Sequence, residues 1–528
     1  MTEADRQGLR SGPVRHLVLV LGDQLDHQSR VWSDFDPAVD VVWMAEVPEE
    51  ATSVWSHKLR LAYFLAARRH FREELRAKGR IVLYHALGLT PEQDQGRSFA
   101  ELLGQDCRQL QPQKLVCVRP GDFQVLQDME RLAAAAGVPL ELRPDDHFLC
   151  STQEFREFAA GRRGLRQEHF YRYLRRSRGV LLDPQGKPRG GRWNFDGDNR
   201  QTFGRRGPPP VAAPQAFAPD ALTREVIELV QRRFPGHPGS LAHFTLPVTA
   251  AQAEELLQDF LAQRLPWFGP YQDAMWSGQP FLYHSRLSAP LNLKLLHPRR
   301  CLEAAIGAYE ELQAPLNSVE GFVRQILGWR EFIRGSYWLH MPDYQELNYF
   351  AHQAELPACF WDGNTAMACV RESLRSVLEH GYTHHIQRLM VLGLLALLYG
   401  VQPRQFHEWH LAMYVDAHDW VSRPNTLGMS QFADGGLVSS KPYCASGNYI
   451  RRMSNYCQQC EFVPEKSVGG DACPLTTWYW EFLDRHAARL GATARLAYQL
   501  RALRAKQSQP GLMAAIRRQA EARRRTLP

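Results

Sequence analysis

The sequence lacks the features that place a chain outside the cell or in a membrane. Its 10 cysteines are spread over 528 residues, too thinly for the disulfide framework of a small secreted domain. No apolar run is long enough to span a bilayer. Residues 389–401, the longest such run, read as a buried helix. Residues 17–21 have only the length of a strand, not of a signal-peptide core. A cytoplasmic chain with no membrane association is therefore expected. Several familiar signatures are also missing. There is no G-x-G-x-x-G after the first strand and no G-x-x-x-x-G-K-[ST], and His407-Glu408-Trp409-His410 lacks the spacing of a zinc protease helix. No internal repeat or heptad array stands out.

The chain is 44% hydrophobic and 23% charged, ordinary for a soluble globular protein and enough to bury more than one core. The formal net charge is +7, which suits a polyanionic partner or simply a solvated basic surface. Residues 1–150 alternate short apolar runs (16–21, 41–46, 80–84 and 114–118) with helical patterns at 55–78 and 99–111. That alternation predicts a doubly wound parallel sheet. Ligands in such sheets bind beyond the carboxyl ends of the strands, which puts Gly22, Asp23, Gln24 and Glu46 at a pocket mouth.

Residues 151–220 read as an interdomain linker, densest in turn formers between 186 and 219. From 221 to 528 the pattern turns helical, with apolar spacing at 249–264, 301–312, 319–338, 369–380, 382–398 and 403–418. A large all-α domain of this size can enclose a big cofactor between its helices. The α/β domain followed by the all-α domain is the expected fold class.

Cys457 and Cys460 form a C-x2-C pair, and Cys473, followed by Pro474, comes twelve residues later. A two-residue gap lets both sulfurs face one metal centre, and the proline resembles that of ferredoxin ligands. With Cys369 as the distant fourth thiolate, an iron–sulfur cluster, a zinc site and free thiols all fit this spacing.

Two further stretches are long and distinctive: residues 382–390, which contain His384 and His385, and residues 424–436. They resemble the bacterial photolyase and cryptochrome branch that carries an iron–sulfur cluster, the branch of the prokaryotic (6-4) photolyases. The resemblance runs from about residue 17 into the last hundred residues. It implies a 4Fe–4S cluster on Cys369, Cys457, Cys460 and Cys473, and FAD in the helical domain. Tyr271, His284, Ser285, Leu287, Ser288, Gln325, Trp329, Arg330, Asp416 and Asn425 would form the FAD pocket, residues 283–288 matching the flavin diphosphate clamp. It also implies an antenna pigment, 6,7-dimethyl-8-ribityllumazine, near Gly22, Asp23, Gln24 and Glu46.

The implied chemistry is electron donation from light-excited reduced FAD to a (6-4) lesion in UV-damaged DNA. His385 would be the proton donor, His384 its neighbour, and Tyr443 a contact to the flipped lesion. Trp409 and Trp361 match the family's photoreduction relay. Each of these residue types more commonly serves a core, so their weight here comes from the match. Two departures stand out: His410, where relatives can carry tyrosine, and Ser422, where they carry an acidic residue. A monomer is expected. A light receptor without repair activity and a nonenzymatic cluster-bearing nucleic-acid binder are the alternatives.

Overall fold

The computed structural model describes residues 14–526 apart from 163 and 492. Five strands, β1 (His16–Leu19), β2 (Val41–Ala45), β3 (Val82–His85), β4 (Lys114–Val118) and β5 (Leu140–Arg143), form one parallel sheet in the order β3-β2-β1-β4-β5. Strands β1, β2 and β4 are nearly continuous apolar runs, as burial on both faces demands. The order reverses between β1 and β4. The fifth strand was not expected: its sequence, Leu-Glu-Leu-Arg, is half polar and largely half-buried, whereas β3 at the other edge is buried throughout.

The helix Lys58–Ala77 joins the sheet to the rest of the molecule. His57 caps its start, accepting from the Leu59 amide at 3.0 Å, while its Nε2 donates to the Leu378 carbonyl at 3.0 Å. Arg60 donates to the carbonyls of Tyr414 and Ala417. This helix start is one of several places where the two domains are hydrogen-bonded; others are the Leu25 amide to the Leu293 carbonyl and the Trp420 amide to Asp122.

The stretch 151–220 is less of a linker than its composition suggests. It opens with two helices, Thr152–Ala159 and Gln167–Arg178, whose Phe155, Phe158, Phe170 and Tyr171 are buried in the helical domain's core. Beyond them the chain lies as a strap, with few elements longer than a turn. It is anchored by Asn199, which donates to the Asn317 carbonyl, and by the Phe195 amide, which donates to Glu320.

The rest is helical, as the apolar spacing predicts. Residues 249–264 and 301–312 appear as Ala250–Gln263 and Pro298–Glu310, and 369–380 as Ala368–His380. Three expected helices differ in kind. Residues 319–338 and 382–398 are each interrupted by a π-helical segment, Arg324–Arg330 and Arg388–Leu392. The helix expected over 403–418 ends at Met413, and a third π segment follows at Pro424–Ser430. Among the described residues no helix is long and apolar enough to cross a membrane.

Candidate active site and cofactor cavity

The three π segments surround one cavity of about 500 Å³, within the range of small-molecule and cofactor sites. Arg324, Gln325, Ile326, Trp329 and Arg330 come from the first, Arg388 and Leu389 from the second, and Asn425, Thr426, Met429 and Ser430 from the third. A π turn is wider than an α turn and is frequent at functional sites. Here it turns extra side chains toward a single space. Of the expected pocket residues, His284, Ser285, Leu287, Ser288, Gln325, Trp329, Arg330, Asp416 and Asn425 line the cavity. Tyr271 does not; its ring packs on Phe203 and Tyr283, at 4.7 and 5.8 Å between centroids.

In the 283–288 clamp, Arg286 adopts a left-handed backbone (φ 60°) and the Ser285 hydroxyl accepts from the Leu287 amide at 3.3 Å. This tight turn brings small hydroxyl side chains to the cavity wall. The helix that follows, Ser288–Asn292, is little more than one turn, so the clamp gains less helix-dipole field than a longer helix would give.

One charge pair at the wall, Arg388–Asp416, is bidentate at 3.0 and 3.1 Å. Burial alone would raise the Asp416 carboxyl, but Arg388 outweighs it and holds the group below its ordinary value. Asn292 donates to the Asp416 carbonyl at 2.7 Å and fixes the backbone there. Other wall residues keep buried polar atoms without protein partners: Ser422 Oγ, His410 Nδ1, Gln167 Nε2 and Arg324 Nη2. Buried polar atoms are normally satisfied, so a cavity with several unsatisfied ones is built for a polar occupant. Apolar walls, a charge pair and spare donors fit a ring system with a polar edge and a phosphate tail, as FAD is.

A protein of Agrobacterium fabrum named (6-4) photolyase is 44% identical over 483 residues, covering 91% of this chain and 94% of that protein. The chain belongs to the photolyase/cryptochrome family. Residues 18–246 also match the family model described as deoxyribodipyrimidine photo-lyase-related protein. Two solved structures share the fold at 15% identity. One is a bacterial class III photolyase from Agrobacterium tumefaciens (TM-score 0.59, 92% of this chain and 99% of that one). The other is a Synechocystis cryptochrome (TM-score 0.58, 98% and 100%).

Among the residues with family roles, His385 and Tyr443 line the cavity. Burial, then Arg388, pushes the His385 imidazole down to about 4. His384 lies behind the wall, stacked on His284 with centroids 4.6 Å apart and rings 9° from parallel. Arg330, expected at the cofactor, lines the cavity with its Nε free of a protein partner, while its terminal nitrogens are engaged. It meets His147 Nδ1 at 3.0 Å and Glu331 at 3.1 Å, and lies over the Phe148 ring at 4.1 Å. Glu331 in turn accepts from the Cys150 amide at 3.0 Å. The Arg–Glu pair is therefore a buried clasp between the domains rather than surface decoration.

Trp409 is buried one layer back. Its ring is stacked on Phe406, a wall residue, at 5.9 Å, and its indole N–H donates to the Phe360 carbonyl at 3.0 Å. Trp361 is the next residue along that backbone. Sequence reasoning did not single out Arg388, Arg324, Gln167, Asp196 or Arg200 on the wall. Arg388 lies inside the distinctive stretch 382–390, so its position there was the available signal.

The expected antenna residues behave differently from one another. Glu46 spends its carboxylate on Arg69 (two contacts at 2.8 Å), the Leu87 amide at 2.9 Å and the Tyr84 hydroxyl, a framework role. Gly22 packs against Arg68, whose guanidinium a Cβ would strike at 2.0 Å. Asp23 is raised above its ordinary value by burial, with Lys294 opposing. Gln24 donates to the Val118 carbonyl at 3.0 Å, where β1 meets β4. It also lines a cavity of only about 10 Å³ with Asp145 and Lys294.

Cys369, Cys457, Cys460 and Cys473 line one small apolar cavity with Met367, Ile450, Phe462 and Leu475. Burial pushes the Cys369 thiol well up, and the other three cysteines add to it. A single zinc ion would need all four sulfurs about 2.3 Å from one point. Among the described residues no group is drawn together tightly enough to hold one ion. Four thiols around one apolar cavity are a donor set of the kind an iron–sulfur cluster takes. Gly447 leaves room for them, since a Cβ there would stand 2.8 Å from Cys473 Sγ.

Proposed function

We propose that this photolyase-family chain is a (6-4) photolyase: it repairs (6-4) photoproducts in UV-damaged DNA under light. The observation that carries the reading is one cavity of about 500 Å³ on which His385, Tyr443 and the flavin-type residues converge. It occurs in a chain 44% identical, over nearly its whole length, to a protein named (6-4) photolyase. Reduced FAD, when bound and excited, supplies the electron that breaks the lesion bond.

The chain's own residues do the rest. Ser285, Ser288, Gln325 and Asn425 hold the cofactor, and Arg388–Asp416 sets a fixed dipole beside it. Arg330 preserves the shape of the wall by clasping the α/β domain. His385 is neutral at pH 7 without DNA, and a neutral imidazole still has one N–H to give. Lesion phosphates and a reduced, negatively charged lesion oppose Arg388 and raise the imidazole pKa, so the ring can take up and hold the proton it donates. Tyr443 meets the extruded bases, whose poor stacking lowers the cost of leaving the duplex. Trp409 and Trp361 relay the electron that first reduces the cofactor.

Cys369, Cys457, Cys460 and Cys473 hold a 4Fe–4S cluster that ties the helix Ala368–His380 to the C-terminal region. Its role is structural. Gly22, Asp23 and Gln24 sit where the strand order reverses and support a ribityllumazine antenna, with Glu46 shaping the frame. The chain works as a cytoplasmic monomer, its basic surface meeting DNA.

The test is illumination of the reduced protein with separate oligonucleotides carrying a (6-4) product or a cyclobutane dimer. Repair of the first alone is expected. If neither is repaired, the light-receptor reading takes over.

A further inference from the structure

We infer that Trp55 is the outermost member of the photoreduction relay, the side chain at which oxidation reaches water. The inference rests on reading Trp409 and Trp361 as relay residues. Trp361 lies against Trp55 with ring centroids 5.0 Å apart and planes at 44°. Trp55 is 49% exposed, whereas Trp409 is 1% exposed. The path outward is continuous. Phe406 on the cavity wall stacks on Trp409, and the Trp409 indole N–H donates to the Phe360 carbonyl. The carbon of that carbonyl is bonded to the Trp361 nitrogen, so one hydrogen bond and one peptide link join the two tryptophans. Trp361 is itself partly covered, and the side chain covering it is another indole.

Packing does not explain that choice. A leucine or phenylalanine would cover Trp361 as well, without leaving half of a large apolar ring in water. An indole at this place adds redox chemistry. The primary oxidant is the excited oxidised flavin on which the relay reading rests. One electron passes from the Trp55 indole to the Trp361 radical cation, so Trp361 returns to neutral and Trp55 becomes the oxidised partner. The Trp55 radical cation then releases its Nε1 proton to bulk water. A small-molecule thiol supplies one electron and one proton to restore it. Because Trp55 is exposed, both proton loss and thiol access are open there and restricted at Trp361. Oxidation that ends at Trp55 is therefore held farther from the cavity and returns more slowly.

The experiment uses the full FAD-loaded chain and its Trp55→Phe, Trp55→Tyr, Trp361→Phe and Trp409→Phe variants. Flash absorption follows the tryptophan radical, steady bleaching of the flavin with added thiol follows net reduction, and circular dichroism in the dark follows exciton coupling of the Trp55–Trp361 pair. In Trp55→Phe the long-lived deprotonated radical should be lost and bleaching should slow severalfold. Trp55→Tyr should restore part of the yield, and the exciton signal should vanish in Trp55→Phe and Trp361→Phe alike. If Trp55→Phe keeps the parent's radical lifetime while Trp361→Phe abolishes the radical, the relay ends at Trp361 and the inference fails alone. If Trp361→Phe and Trp409→Phe both photoreduce like the parent, the underlying relay reading fails with it. Absence of an exciton signal in the parent removes the contact in solution and overturns the inference directly.

Discussion

Consider lowering the pH from 7 to 5. His57 is fully buried at the joint between the domains, where its Nδ1 must stay unprotonated to accept from the Leu59 amide. Burial lowers its pKa from the ordinary 6.5 to about 4, with the Leu378 carbonyl opposing. Between these two values the unfolded chain binds the proton and the folded chain does not, so stability rises with pH through the window. The contribution is complete above 6.5 and is lost as pH falls toward 4. At pH 5 the 1.5 units below the ordinary value correspond to about 2 kcal/mol at 1.36 kcal/mol per unit. His284, His380 and His385 are also pushed down to about 4, by burial first, and add to the same slope.

To isolate His57, the parent is compared with His57→Asn by urea unfolding at pH 7 and pH 5. Asparagine keeps an acceptor for the Leu59 amide and is a good helix cap, but it does not titrate. The variant loses the Leu378 contact, so it will be less stable at both values; what matters is the difference in pH dependence. The variant's loss between pH 7 and pH 5 should be smaller than the parent's by about 2 kcal/mol. Equal losses would show that His57 titrates alike in the folded and unfolded chains, and would refute the reasoning.

His385→Asn should lower (6-4) repair by about 10²–10⁴-fold while FAD content stays at the parent level, measured by repair yield per absorbed photon. Unmodified repair in that variant would place the proton elsewhere. Cys473→Ser should lower iron and acid-labile sulfide per chain, and Gly447→Ala should do so more mildly because its methyl crowds Cys473; zinc in the parent by metal analysis would sink the cluster. Gly335→Ala places a methyl about where the Phe155 ring stands, 2.1 Å away. It should cost about 1–3 kcal/mol in thermal or urea unfolding. Arg330→Ala should reduce soluble yield and loosen the 147–150 contact more than it changes the FAD affinity of the folded fraction, checked by flavin titration.

Much of this architecture was readable before the structure. Strands β1 to β4 announce themselves because both faces are buried, and the helices over 250–263 and 368–380 follow apolar spacing. What escaped has local physical causes. β5 is half polar because it is only half-buried, unlike β3 at the opposite edge. The helix Gln167–Arg178 hides Phe170, Tyr171 and Leu174 among arginines that cover its outer face. The π segments keep the composition of ordinary helices, so apolar spacing does not reveal the extra residue per turn. Nor could the sequence show that Glu46 is spent on Arg69, or that Arg330 and Glu331 are buried on a domain clasp. Both depend on partners distant along the chain. Nine of the ten expected pocket residues nevertheless line one cavity, because resemblance carries residue identity even where it does not carry side-chain direction.

The π segments have a consequence for how this protein tolerates change. A residue on an α-helix is displaced by about 100° for each position gained or lost. Removing one residue from 324–330 would let the segment fall back to α-helical bonding with Glu331, Arg334 and Tyr337 still facing Cys150 and Asp419, whereas removing one from the regular turns before it would swing all that follows by about 100°. Deletions inside and outside these segments should thus part company. Point changes at Ile326 or Met429 alter one surface of the cavity, and a codon lost within a π segment takes one side chain out of the wall, whereas a codon lost from a regular helix disengages that helix from its neighbours.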